Sequence, residues 1–225
     1  MGKHDYMGNS NNEYEELYVK YTLAMRKLEA ELKNLVDAYK FSNPNDDIVD
    51  HTKSRIKSFD SAVKKLQKRE LDVTPENMEN CLCDMVGFRI VCPFTEDVYK
   101  MVDLIKTCEA FGIEKENDYI VEPKKSGYTS YHIDVSIPIR FKGDITYVFA
   151  EIQIRTMAMD LWATLDHKLR YKLSEGIQEE LSPEFLARAK DMSRFDYRMQ
   201  CLKDEIVEMR NDESVEKPKK MVKKR

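Results

Sequence analysis

Two carboxylates stand out by their surroundings. Glu151 lies in the run Ile145–Ile154, whose apolar pattern reads as a strand. Side chains on a strand alternate between faces. Ala150, Ile152 and Ile154 therefore share one face, and Glu151, Gln153 and Arg155 share the other, which Tyr147 and Phe149 continue. That second face starts apolar and turns ionisable toward the strand's end, a common place for a site. Asp84 stands just before the apolar run Val86–Val91, at the mouth of a second strand. An acid in that position either caps a turn or ligates a metal. Two carboxylates from different strands can hold Mg²⁺ through hard oxygen ligands and leave positions for phosphate oxygens. Spacing alone does not bring the two together.

Basic residues cluster upstream. Arg55 and Lys57 lead into a helix expected over Ser61–Arg69, where Lys65 and Lys68 share a face. Such a cluster neutralises a polyphosphate well, with Arg forking onto oxygens and Lys acting as a point charge. A solvated helix face uses the same residues. Lys124 to His132 is a basic, aromatic-bearing loop ahead of a strand. Gly127 permits close backbone approach, Tyr128 can stack on a base, and His132 can donate to a phosphate. An ordinary turn tyrosine and a hydrogen-bonded strand histidine remain the alternatives.

Other chemistries lack their signatures. The chain has no Gly-x-x-x-x-Gly-Lys-Ser/Thr loop, no protein-kinase set and no Gly-x-Ser-x-Gly elbow. Its five cysteines include no Cys-x-x-Cys, and its four histidines show no zinc-ligand spacing. Reduced, buried thiols are expected. Trp162 with Met157, Met159, Leu161 and Leu165 reads as helix core rather than a cofactor box.

The elements that must position these residues follow from the apolar spacing. A loose polar arm is expected over residues 1–12. Leu17, Tyr21, Ala24, Leu28, Leu32, Leu35 and Tyr39 step by three or four and predict a helix from Glu13 to Phe41, stopped by Asn43-Pro44-Asn45. Thr74-Pro75 opens a short helix through Leu82, and Thr95-Glu96-Asp97 caps another. Strands are expected over Val86–Val91, Asp118–Val121, the alternating Ile133, Val135 and Ile137, and Ile145–Ile154. Thr156 starts a helix to about Leu173, and Ser182-Pro183 starts a last long one. The two longest helices offer stripes for each other or for another subunit. From Lys217 the tail is basic and unpatterned, a solvated tail or a contact for nucleic acid or membrane. The order implies an α/β (α+β) fold: a mixed β-sheet flanked by helices.

The 225 residues are 42% hydrophobic and 35% charged, enough for one domain with a core. No apolar run approaches the ~18 residues of a membrane span, and no signal-peptide core is present, so a cytoplasmic protein is expected. With 37 Lys+Arg against 41 Asp+Glu, the net charge does not suggest a dedicated DNA binder. Together these features point to magnesium-dependent phosphate chemistry.

The same segments, in this order, resemble the small alarmone synthetases of the RelA/SpoT family. The likeness is carried by Arg55-Ile56-Lys57-Ser58, Asp84-Met85-Val86-Gly87-Phe88-Arg89-Ile90 and Asp118-Tyr119-Ile120. It continues in Ser126-Gly127-Tyr128-Thr129-Ser130-Tyr131-His132, in Ala150-Glu151-Ile152-Gln153-Ile154-Arg155-Thr156, and from Met157 to Ala163 with Asp166-His167-Lys168. The resemblance implies a nucleotidyltransferase-like synthetase domain over 13–210; by its basic composition the stretch 211–225 is expected to be a disordered tail. It implies transfer of the β,γ-pyrophosphate of ATP to the 3′-hydroxyl of GTP, GDP or GMP; with no room in 225 residues for a hydrolase domain as well, synthesis without hydrolysis is expected. Asp84 and Glu151 match the Mg²⁺-binding acids, and Glu151 also the acceptor of the hydroxyl proton if burial raises its pKa. Arg55 and Arg89 match the arginines that sandwich adenine; Lys57, Ser61, Lys65 and Lys68 match the positions that face the ATP phosphates. Tyr128 matches the tyrosine stacked on guanine, with Lys124, His132, Gln153 and Asp160 around the acceptor. A homotetramer is implied, with (p)ppGpp or single-stranded RNA as regulators. Relatives with such an activator carry Phe and Thr where this chain has His51 and Lys53. Where relatives carry a charged residue that correlates with GTP or GDP preference, this chain has Asn117. A catalytically silent nucleotide- or RNA-binding regulator on the same fold is the alternative.

Overall fold

The computed structural model describes residues 5–171 and 173–215, with side chains from residue 12 to residue 210 apart from 172 and 175. Five strands form a mixed sheet in the order β1-β2-β5-β4-β3. They are β1 (His51–Ile56), β2 (Val86–Cys92), β3 (Gly112–Asp118), β4 (Tyr131–Phe141) and β5 (Asp144–Thr156). Only β2 and β5 run parallel; the other neighbours are antiparallel. The helices are α1 (Asp5–Ser42), α2 (Phe59–Lys68), α3 (Pro75–Cys81), α4 (Thr95–Lys106), α5 (Met157–Arg170), α6 (Glu175–Glu180) and α7 (Ser182–Val215).

One sheet face makes the core. Val86, Phe88 and Ile90 of β2, Ile133, Val135 and Ile137 of β4, and Ala150, Ile152 and Ile154 of β5 are all buried there. The stripe Leu17, Tyr21, Ala24, Leu28 and Leu32 of α1, with Val98, Val102 and Ile105 of α4, covers them in one cluster. Each buried Leu, Ile, Val or Phe among them stabilises by about 1.5–3 kcal/mol. The α1 stripe is thus consumed inside the chain and is not free for another subunit. A smaller cluster of Trp162, Phe185 and Ala189 joins α5 to α7.

Several elements depart from expectation. The helix α1 begins at Asp5, so the loose arm expected over 1–12 is helical in its later part. Extending a helix already fixed by packing adds one hydrogen bond per ordered residue, so the polar start follows the rest. Likewise α7 runs to Val215, and the basic tail from Lys217 lies outside the described residues. The Asp118–Val121 segment is a turn, with Asp118 Oδ1 accepting from the N–H groups of Ile120 and Val121. The strand before it, β3, is an exposed edge without apolar alternation, which is why the pattern misses it. The edge strand β1 is missed for the same reason. Phe94 rather than Thr95 occupies the N-cap of α4 and makes no side-chain cap. Thr74 and Thr156 do cap α3 and α5. Trp162 and Met159 are buried, but Met157, Leu161 and Leu165 are exposed and are not core.

Candidate active site

The second face of the sheet carries the polar residues, and strand register aligns them. Glu151 sits opposite Gly87 of β2 and Asp134 of β4; Gln153 sits opposite Arg89 and His132. On β1, Arg55 and Lys53 lie opposite Gly87 and Arg89. Because paired residues share a face, Lys53, Arg55, Arg89, His132, Asp134, Glu151 and Gln153 all project to one side. A cavity of about 280 Å³ opens there, lined by Arg55, Asp84, Arg89, Glu151 and Gln153 among others. A second cavity of about 590 Å³ shares Arg55, Arg89 and Gln153 and extends past Tyr128 and Arg155 to α5. A larger open groove lies between α7 and the Asn43–Asp46 turn, away from both carboxylates.

The two acids meet one cavity in different environments. Asp84 accepts from Lys57 and, at 2.8 Å, pairs with Lys65. Burial alone would raise its pKa. The bonds and charges of the two lysines outweigh burial and hold the carboxyl below its ordinary value. Its Oδ1 is buried with no hydrogen-bond partner among the described residues. A buried carboxylate oxygen without a donor is costly unless something cationic completes it, so the position suits a hard cation. No three His, Cys, Asp or Glu side chains converge on a metal-sized point among the described residues. A cation here would rest on Asp84, Glu151 and substrate phosphate oxygens, the usual Mg²⁺ arrangement.

Glu151 accepts from His132 Nδ1 at 3.1 Å and from Gln153 Nε2. Burial pushes its pKa up, but the bonds from His132 and Gln153 prevail and the net direction is down. The raised pKa on which the base role was conditioned is therefore not met; the carboxylate is kept ionised. On this sheet face it is Asp134 whose carboxyl has a raised pKa, lifted by burial and by the charge of Glu151 across the strand pair. Sequence reading misses Asp134. The signal was available, since Ile133, Val135 and Ile137 on the core face put Asp134 on the face of His132.

The acceptor-side residues form an aromatic group. Tyr128 Oη lies 2.8 Å from His132 Nε2, and the Tyr119 ring meets His132 edge-on at 5.1 Å. Lys124 Nζ stands 4.3 Å from the Tyr119 ring centre and 5.1 Å from that of Tyr128. The loop carrying Tyr128 turns at Gly127, whose φ of +81° suits only glycine, and a Cβ there would stand 2.4 Å from Ala189 Cβ of α7. Asp160 is buried and pairs with Arg89 at 2.9 Å and Arg155 at 3.1 Å. Ser61 bonds back to Ser58 at the start of α2, and Lys68 stands exposed one turn beyond Lys65. Arg155, read from sequence only as part of the polar row, is buried at the centre of this group.

Comparison with known proteins agrees with this geometry. Residues 54–176 match the family described as the region found in RelA / SpoT proteins. The chain is 37% identical to the GTP pyrophosphokinase YwaC of Bacillus subtilis, over 83% of this chain and 88% of that protein. It is 30% identical to the GTP pyrophosphokinase YjbM of the same organism, over 88% and 92%. The fold matches the crystal structure of small alarmone synthetase 1 from Bacillus subtilis bound to its product pppGpp, with a TM-score of 0.80 and 30% identity over 87% of this chain and 99% of that one. It also matches small alarmone synthetase 2 from that organism, with a TM-score of 0.73 and 36% identity over 84% and 97%. Matched by that family model over more than half its length and 37% identical to one of its pyrophosphokinases, the chain belongs to the RelA/SpoT family, among the small alarmone synthetases.

Proposed function

We propose that this protein transfers the β,γ-pyrophosphate of ATP to the 3′-hydroxyl of GTP or GDP, making pppGpp or ppGpp and releasing AMP; GMP is a further candidate acceptor. The observation that carries the reading is the convergence of Asp84, in the turn before β2, and Glu151 of β5 on one cavity, the first held by a lysine pair and the second by the histidine that meets Tyr128. Relatives are named GTP pyrophosphokinases, and solved neighbours hold pppGpp or AMPCPP.

The chemistry is attack by a weak alcohol nucleophile on a phosphorus within a polyanion. It needs positioning and charge neutralisation more than covalent help. Each ammonium has three donors, so Lys57 and Lys65 keep donors for ATP phosphates while holding Asp84. Arg55 and Arg89, on adjacent strands, offer guanidinium planes for adenine. Tyr128 offers its ring to guanine, with Lys124 and His132 beside it. Asp84 and Glu151 would hold Mg²⁺, which when bound neutralises developing phosphate charge. Glu151, kept ionised by its donors and without a raised pKa, offers the 3′-hydroxyl an acceptor that orients it, and takes its proton only as the bond to phosphorus forms.

We also infer a homotetramer. Met157, Leu161, Leu165 and Leu169 form an exposed stripe at four-residue spacing along α5, a surface suited to another copy.

A thin-layer assay with γ-³²P-ATP, Mg²⁺ and GTP, GDP or GMP tests the reaction. A labelled guanosine polyphosphate should appear with the wild type and vanish in Glu151→Gln and in excess chelator. Absence of that product in every wild-type lane would overturn the reading in favour of a silent regulator that binds nucleotide or RNA.

A further inference from the structure

Arg155 ends the polar row of β5 and is only 4% exposed. A buried guanidinium is costly unless every N–H finds an acceptor and a counter-charge is near. Here each nitrogen is engaged. Nη1 donates to Asp160 at 3.1 Å, Nε reaches Ser130 Oγ at 3.4 Å, and Nη2 donates both to Gln153 Oε1 at 2.9 Å and to Tyr128 Oη.

The two bonds from Nη2 begin two arms that end on one carboxylate. In the first, Tyr128 Oη donates to His132 Nε2, and His132 Nδ1 donates to Glu151 Oε1. In the second, Gln153 Nε2 donates to Glu151 Oε2. With His132 neutral, the directions follow from which groups can only accept and which can only donate. A carboxylate only accepts, so Nδ1 of a neutral His132 carries the proton and Nε2 accepts from the tyrosine. A guanidinium only donates, so Tyr128 must pass its own proton onward and Gln153 must turn its amide nitrogen to Glu151. Reversing the first arm in a neutral His132 would leave the Nδ1 lone pair facing the carboxylate, and reversing the second would turn the Gln153 amide nitrogen to the guanidinium and its oxygen to Glu151.

We propose that Arg155 is the positioning residue of this site, its guanidinium orienting through one nitrogen both the tyrosine offered to the acceptor base and the donors that aim the Glu151 carboxylate. The inference rests on the pyrophosphate-transfer reading above for the roles of Tyr128 and Glu151. It adds a link between them: the acceptor's base and its reacting hydroxyl are registered against each other by one buried side chain. Asp160 is the counter-charge that lets the guanidinium stay buried. Because Asp160 also pairs with Arg89, the link reaches the edge of the ATP side.

Arg155→Lys separates this role from simple packing. Lysine keeps the charge and most of the stem but cannot fork to two acceptors in one plane. The KM for GDP should rise about tenfold and kcat should fall about tenfold, while the KM for ATP stays within about twofold, as misplacement of one substrate predicts. Calorimetry on the same proteins should show GDP binding weakened about tenfold, a readout that needs no turnover. Tyr128→Phe keeps the ring and deletes only the bridging hydroxyl; it too should raise the KM for GDP, and the double variant should be no worse than Arg155→Lys alone. If Arg155→Lys does not fold, Tyr128→Phe decides by itself. Wild-type GDP affinity in either folded variant, or full additivity of the two, overturns the proposal. Wild-type protein that binds GDP but forms no labelled product overturns the reaction and not the positioning role.

Discussion

At the scale of the residue, charge sharing decides how each acid behaves. Asp84 and Glu151 are both partly buried, and burial alone would push both pKa values up. Lysine donors prevail at the first, and histidine and glutamine donors at the second. Both therefore stay ionised at neutral pH, as cation binding needs. Asp84→Asn keeps the shape and removes the charge. Turnover should fall by on the order of 10²-fold or more, and raising Mg²⁺ should not restore it, because the lost ligand is anionic. Near-normal turnover in a titration of Mg²⁺ would refute the metal assignment.

At the scale of the element, α7 is tied to the site by one buried acid. Asp196 accepts from Thr156 Oγ1 at 2.6 Å, and the same hydroxyl accepts from the Met159 N–H as it caps α5. Burial raises the Asp196 pKa, and the Thr156 bond only partly opposes this. A carboxyl whose folded pKa is raised binds more protons folded than unfolded across that window. Stability is therefore lost as pH climbs from the ordinary carboxylate value through the raised one. Asp196→Asn keeps an acceptor for Thr156 and abolishes the titration. Between about pH 4 and pH 7 its melting temperature should gain on the wild type. Parallel melting curves across that range would remove Asp196 as the source of any pH dependence.

At the scale of the whole molecule, the apolar stripes have different fates. That of α1 is buried on the sheet, whereas α5 leaves Met157, Leu161, Leu165 and Leu169 exposed, and the far end of α7 leaves Leu202, Ile206 and Met209 exposed. Among the described residues no helix is long and apolar enough to cross a membrane. Light scattering should give a mass above one chain. Leu161→Lys combined with Leu165→Lys should shift it to the monomer without loss of helicity, since both side chains already face solvent within one chain. A wild-type monomer at micromolar concentration would end that proposal.

The residue types at the site were legible from the chain itself. Strand alternation put Glu151, Gln153 and Arg155 on one face of β5, and the capped starts of α3 and α5 followed from Thr74-Pro75 and Thr156. Those are local properties, set by the two-residue period of a strand and by orphan N–H groups at a helix start. The edge strands β1 and β3 were not legible, because strands with little buried surface carry no apolar alternation. Nor could the sequence say that Asp84 and Glu151 line one cavity, that Asp134 faces Glu151, that Asp160 holds two arginines, or that Arg155 lies between Tyr128 and Gln153. Those pairings depend on which strands neighbour which. The parallel pairing of β2 with β5 and the antiparallel pairing of β4 with β5 are contacts between segments far apart in the chain. Local chemistry chose the side chains; strand order and register decided which of them share a charge, a proton or a cavity.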